Sequence, residues 1–115
     1  MTPVERLHAA IDKLERLKLD GTPGPWRVWT DKFSGDFEVR APDGLVAPLW
    51  VFGPAVRPHA NAPLIVTLHR TIDAQLTILR HDVDMHDLVP EEAWLRSMER
   101  SGDLDLADAI LGGDS

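Results

Sequence analysis

The chain contains no cysteine. That absence excludes disulfides, thiol nucleophiles and cysteine-held metal, and it fits a reducing compartment. No apolar run approaches the roughly 20 residues that span a bilayer. The opening "MTPVERLHAAIDKLERL" is charged throughout and carries no signal-peptide apolar block. Together these features lead us to expect a cytoplasmic protein that does not enter the membrane. There is no Walker loop, no G-x-G-x-x-G, no G-x-S-x-G nucleophile elbow and no H-E-x-x-H pair. No catalytic residue, cofactor or metal is therefore expected, and the reading is of a protein that is not an enzyme.

Basic residues are scarce in one part of the chain. Up to His81 there are 10 Lys+Arg and 9 Asp+Glu; from Asp82 onward there are 2 and 10. The net charge of −7 thus belongs to the last third. Nucleic-acid affinity comes mainly from basic groups that release phosphate counterions. No basic patch is visible, so nucleic acid is a disfavoured partner. An acidic segment of this kind is a solvated face, or meets a basic partner surface.

What is present is an ordinary globular composition, 43% hydrophobic and 27% charged over 115 residues, enough for one domain spanning 1–115 with an acidic helical part at 82–115. Residues 3 to 19 read as a helix. Thr2 is its cap, Pro3 its first residue, and Val4, Leu7, Ile11 and Leu14 form a stripe that Leu17 widens. "GTPGP" then stops that helix. Gly21 is expected at positive φ just past its end, and Pro23 and Pro25 push their predecessors to extended backbone. Trp26 is expected to pin this joint to the core.

A three-stranded antiparallel meander follows: "PWRVWT", a turn at "DKFSGD", "DFEVRA", a turn at "APDG", and "GLVAPLWVFG". The third strand is apolar on both faces, yet Pro48 marks an edge position or a bulge. Either a second copy or helices of the same chain would cover it. Asn61 is expected to cap a long amphipathic helix running to Arg80 or His81, with Ile65, Leu68, Ile72, Leu76 and Leu79 on one face. "HDVDMHDLVP" reads as a polar loop, and its histidines and aspartates as helix-end charge. His69, Arg70 and Asp73 read as surface helix charge. Two short helices follow, one opened by Pro90 and one capped by Asp103. The fold class is α+β: N-terminal helix, three-stranded meander, long helix, two short C-terminal helices. The two striped helices suggest a homodimer.

The aromatic residues give the functional lead. Trp26 and Trp29 are an odd number of residues apart, so a regular strand points them to opposite faces. One of them is then a surface ring that Arg27 or Arg40 can accompany in stacking on a peptide group or a base. The expected partner or ligand site comprises Trp29, Trp50, Arg27, Arg40 and Arg57.

"TPGPW" after a charged helix, "ANAPLIVTLHRTIDAQLTIL" after a short β-region, and the closing "LADAILGGDS" resemble a widespread group of small phage and prophage accessory proteins. The group includes Ead-like early-region proteins and many actinophage relatives. The resemblance implies a host-cytoplasmic protein with no agreed catalytic residues. It implies action by binding a host or phage protein, or, alternatively, by sequestering a nucleotide signal of host defence. This chain departs from the pattern at Pro63 and at Thr67-Leu68-His69-Arg70.

Overall fold

In the computed structural model the described residues are 1–49 and 57–112. They form helices and a three-stranded antiparallel sheet, an α+β protein. The elements are α1 (Pro3–Asp20), β1 (Arg27–Thr30), β2 (Phe37–Ala41), β3 (Gly44–Leu49), α2 (Pro58–Arg70), α3 (Ile72–His86), α4 (Glu91–Ser101) and α5 (Asp103–Leu111). They fall into two compact units: one from Met1–Leu17 and Asp73 onward, the other Lys18–Ile72. The division does not fall near residue 82, where the charge changes.

The first unit is helical. Thr2 caps α1: its Oγ1 accepts from the Glu5 N–H at 3.2 Å and donates to Glu5 Oε1 at 2.9 Å, a reciprocal pair across the first turn. The buried stripe of α1 is Leu7, Ala10, Ile11 and Leu14. Leu17, expected to widen it, is 55% exposed. The unit also buries Leu76 and Leu79 of α3, Trp94 and Met98 of α4, and Ala107 of α5. Each buried leucine contributes about 1.5–3 kcal/mol. Five residues of the expected dimer seam, Leu7, Ile11, Leu14, Leu76 and Leu79, are thus buried within the chain. Arg6 of α1 grips both carboxylate oxygens of Asp108 on α5, at 3.1 and 2.9 Å, and Arg80 of α3 pairs with Glu15 of α1.

Gly102 joins α4 to α5. It lies in the left-handed region at φ 74°, donates its N–H to the Met98 carbonyl at 3.1 Å, and its own carbonyl accepts from Leu106 at 3.0 Å. It, not Asp103, is the capping residue of α5; Asp103 is the first residue of that helix. A Cβ at Gly102 would meet nothing within 4 Å, so the penalty for a side chain there is conformational. Gly102→Ala is expected to lower stability by about 1–2 kcal/mol. A denaturation midpoint equal to that of the wild type would contradict this.

The second unit is a sheet with a helix on one face. Strand order is β1-β2-β3, with Val28 opposite Val39, Trp29 opposite Glu38, and Val39 opposite Ala47. The turn after β1 is organised by Asp31, whose Oδ1 accepts from Phe33 at 2.8 Å, with Gly35 at φ 75°. Pro42 and Asp43 make the second turn. The register shift lies at Val39/Arg40, so Pro48 is tolerated because β3 is an edge strand, not because of a bulge at its own position. The strand expected to run on to Gly53 is seen as far as Leu49, and Trp50 lies outside the described residues. Val39, Ala62 and Val66 form the core, with Trp26, Val28, Phe37, Val46, Leu49 and Ile65 packed on them.

Four further expectations need correction. The long helix is two helices, broken at Thr71, whose hydroxyl donates to the Leu68 carbonyl at 2.8 Å. Such a local bond competes with continuing the helix. α2 begins earlier than expected, with Arg57 at its cap position and Pro58 in its first turn, so Asn61 and Pro63 lie inside it. Residues 81–86 are the last turns of α3, not a loop. Gly21 is absent from the positive-φ glycines, so the exit from α1 needs no left-handed residue.

Candidate functional site

Alternation along the strands sorts the sheet residues. Val28, Phe37, Val39 and Leu49 pack with α2. Arg27 and Trp29 of β1, Glu38 and Arg40 of β2, and Leu45 and Pro48 of β3 occupy the opposite face, held together by register: Trp29 with Glu38, Glu38 with Pro48, Arg27 with Arg40, Arg40 with Leu45. Leu45 is 55% exposed. The Arg40 guanidinium lies over the Trp29 ring, 3.7 Å from its centroid. Its Nε donates to Glu38 Oε2 at 2.8 Å. Glu38 thereby fixes the cation, and the cation covers the indole, worth about 0.5–1 kcal/mol at an exposed site. The result is an aromatic–guanidinium pair, with Arg27, the register partner of Arg40, on the same face. This arrangement can stack on a peptide bond, an aromatic ring or a carboxylate.

Three of the expected site residues, Arg27, Trp29 and Arg40, are therefore brought together. Arg57 is not among them. It stands exposed at the head of α2, next to a cleft lined by Phe37, Leu49, Pro58 and His59. That is the Phe37–Leu49 end of the sheet, away from the Arg27–Arg40 end.

Trp26 takes the other face, as the odd spacing requires. Its Nε1 donates to the Thr22 carbonyl at 2.9 Å, and its ring stacks on His69 at 3.7 Å with planes 5° apart. His69 is thus a half-buried part of the joint and not surface helix charge. A Cβ on Gly24 would stand 3.0 Å from His69 Cε1. The glycine of "TPGPW" makes room for the histidine, and the Gly24–Pro25 peptide beside it is cis. The opening residues of the sheet unit act as a joint built from Thr22, Gly24, Trp26 and His69.

The acidic region holds a feature that spacing did not disclose. Asp82, expected in a loop, is 6% exposed within the helical unit. Burial first, then the hydrogen bond and the charge of Asp103, push its carboxyl from 3.8 up to about 7. The signal that could have found it is its position three residues after Leu79, on the buried side of α3. Near the same end of α3, His86 Nε2 lies 2.8 Å from Glu91 and its ring meets Trp94 edge-on at 4.6 Å. Among the described residues no group of three or more histidines and carboxylates is placed to hold a metal ion, and no helix is long and apolar enough to cross a membrane.

No family model, no curated protein and no solved structure matches the chain.

Proposed function

We propose that this chain is a non-enzymatic accessory protein of phage origin that works in the host cytoplasm by binding a host or phage protein, and that it binds through the face of the sheet bearing Trp29. The observation that carries the reading is the Arg40–Trp29 stack, pinned by Glu38 and placed on the face opposite α2. Tryptophan and arginine are the residues most often found to dominate protein–protein affinity. Arg27 enlarges the same surface and gives it positive charge. The phage origin rests on the resemblance carried by "TPGPW".

The experiment is affinity capture from bacterial lysate with the wild type and with Trp29→Ala/Arg40→Ala as baits. The double variant is expected to keep its far-ultraviolet circular dichroism and to bind the captured protein about 30-fold or more weakly, the equivalent of about 2 kcal/mol. Equal capture by both baits would place binding elsewhere. Absorbance at 260 nm retained by the purified protein would instead favour a sequestered nucleotide.

A further inference from the structure

Among the described residues β1 pairs with β2 on one side and with no strand on the other. The Asp31 N–H donates to the Asp36 carbonyl at 2.9 Å, and the register from there to Arg27–Arg40 is unbroken. Bonded and non-bonded pairs alternate along an antiparallel ladder. Asp31–Asp36, Trp29–Glu38 and Arg27–Arg40 are thus the bonded pairs, and Val28 and Thr30 turn their N–H and C=O groups outward. Neither makes a main-chain bond outside the ladder among the described residues. The far edge of the sheet is less open. Phe37 and Val39 bond to Leu49 and Ala47, so Pro48 between those two faces outward from β3, where it has no N–H to give. An unpaired edge is a template for a further strand. We infer that the partner of the Trp29 face enters as an extended acidic segment that adds to the outer edge of β1 through Val28 and Thr30, an inference that rests on that face being the binding surface.

The side chains of β1 and β2 name the chemistry of that segment. The Glu38 carboxylate is taken by Arg40 Nε at 2.8 Å. Arg27 is exposed and has no carboxylate partner among the described residues. Trp26 and Trp94 give their indole N–H to the carbonyls of Thr22 and Asp82; among the described residues Trp29 gives its own to none. The edge therefore carries two unanswered side-chain donors, a guanidinium and an indole N–H, two residues apart on one face. A strand laid on it sets every second side chain beside them. A carboxylate next to Arg27 forms a charge-assisted pair, and an acceptor two residues along meets the Trp29 N–H. A cationic segment would meet the guanidinium groups of Arg27 and Arg40 with like charge. A second copy laid antiparallel about Trp29 answers these donors less well. It offers Arg27 only Asp31, whose Oδ1 already accepts from Phe33 and Ser34 at 2.8 and 3.4 Å, and it sets Trp29 against Trp29, so that neither indole N–H gains an acceptor.

Amide NMR spectra of the full chain, titrated with a capped hexapeptide alternating glutamate and threonine, read this directly. The Val28 and Thr30 amides should shift most and saturate with a dissociation constant of about 1 mM, the scale of a short unconstrained strand. The peptide with lysine in place of glutamate should leave them unmoved. Arg27→Glu should weaken binding of the acidic peptide about tenfold or more. Thr30→Pro removes one outward N–H and no ladder bond, and should weaken it as much. The wild-type shift map needs no substitution. Shifts centred away from β1, equal shifts with the lysine peptide, or none at about 5 mM peptide would overturn the inference. Val28 and Thr30 amides that shift when the chain alone is concentrated, with a doubled mass in sedimentation, would give the edge to a second copy and overturn it too. The two readings fail separately. Lysate capture lost in Trp29→Ala/Arg40→Ala but kept in Thr30→Pro leaves the binding face standing and removes strand addition, whereas capture kept in both removes the face itself.

Discussion

Trp94→Ala should cost the helical unit about 3–5 kcal/mol, the range for deleting a buried large aromatic side chain. Trp94 is 1% exposed. It touches more than apolar neighbours: its Nε1 donates to the Asp82 carbonyl at 2.8 Å, and His86 meets it edge-on. Deleting it empties the space between α3 and α4 and removes one of the bonds that tie the two helices. Whole-domain stabilities run to about 5–15 kcal/mol, so the loss is a large fraction of what is available. Denaturant unfolding followed by circular dichroism at 222 nm should show the helical signal lost at a much lower concentration. Trp94→Phe keeps most of the ring and drops the N–H, and should cost only about 1–2 kcal/mol. A Trp94→Ala loss under about 1 kcal/mol would mean that this residue does not hold the unit together.

The corresponding substitution in the sheet unit is Val39→Asp, expected to cost about 4 kcal/mol or more. Val39 is fully buried at the centre of β2 and lies against Ala62 and Val66 of α2. A carboxylate there has no cation or donor to meet: the nearest arginine on the strand, Arg40, points to the other face and is engaged by Glu38 and Trp29. Val39→Thr, nearly the same shape with one hydroxyl, should fall well short of that. The near-ultraviolet circular dichroism of Trp26, stacked on His69 beside this core, reports the change. An unaltered tryptophan signal and midpoint would contradict the placement of α2 on the sheet.

Much of this architecture was legible because it rests on local signals. Thr2, Pro3 and Glu5 mark the start of α1, and the turns at Asp31–Asp36 and Pro42–Asp43 follow from aspartate, proline and glycine chemistry. The odd spacing of Trp26 and Trp29 put one ring on each face of the sheet. The break at Thr71 was not legible, because the stripe Ile65, Leu68, Ile72, Leu76, Leu79 looks continuous. In the fold it serves two masters. Ile65 packs in the sheet core, Leu68 is 57% exposed, and Leu76 and Leu79 are buried in the helical unit. Periodicity reports that a face is apolar and does not say which body it meets. The start of α2 was misplaced because Asn61 with Pro63 is as good a helix opening as Arg57 with Pro58, and only packing of Ala62 against the sheet decides between them. Asp82 and His69 were missed for a related reason. Each takes its role from a residue distant in sequence, Asp103 and Trp26, and no spacing rule links them. The Trp29–Arg40 stack lies between these cases: the two residues were expected to be neighbours, while Glu38 as the group that pins the cation emerges only from the register.

The measurement that tests the binding face most directly is hydrogen exchange of the chain alone and in complex with the protein it captures. Protection gained on the edge strand Arg27–Thr30 and at Gly44–Leu49, with none in Trp29→Ala/Arg40→Ala mixed with the same protein, is the expected result. Protection gained only within residues 82–112, leaving β1 unchanged, would contradict it and move the binding surface to the acidic helices.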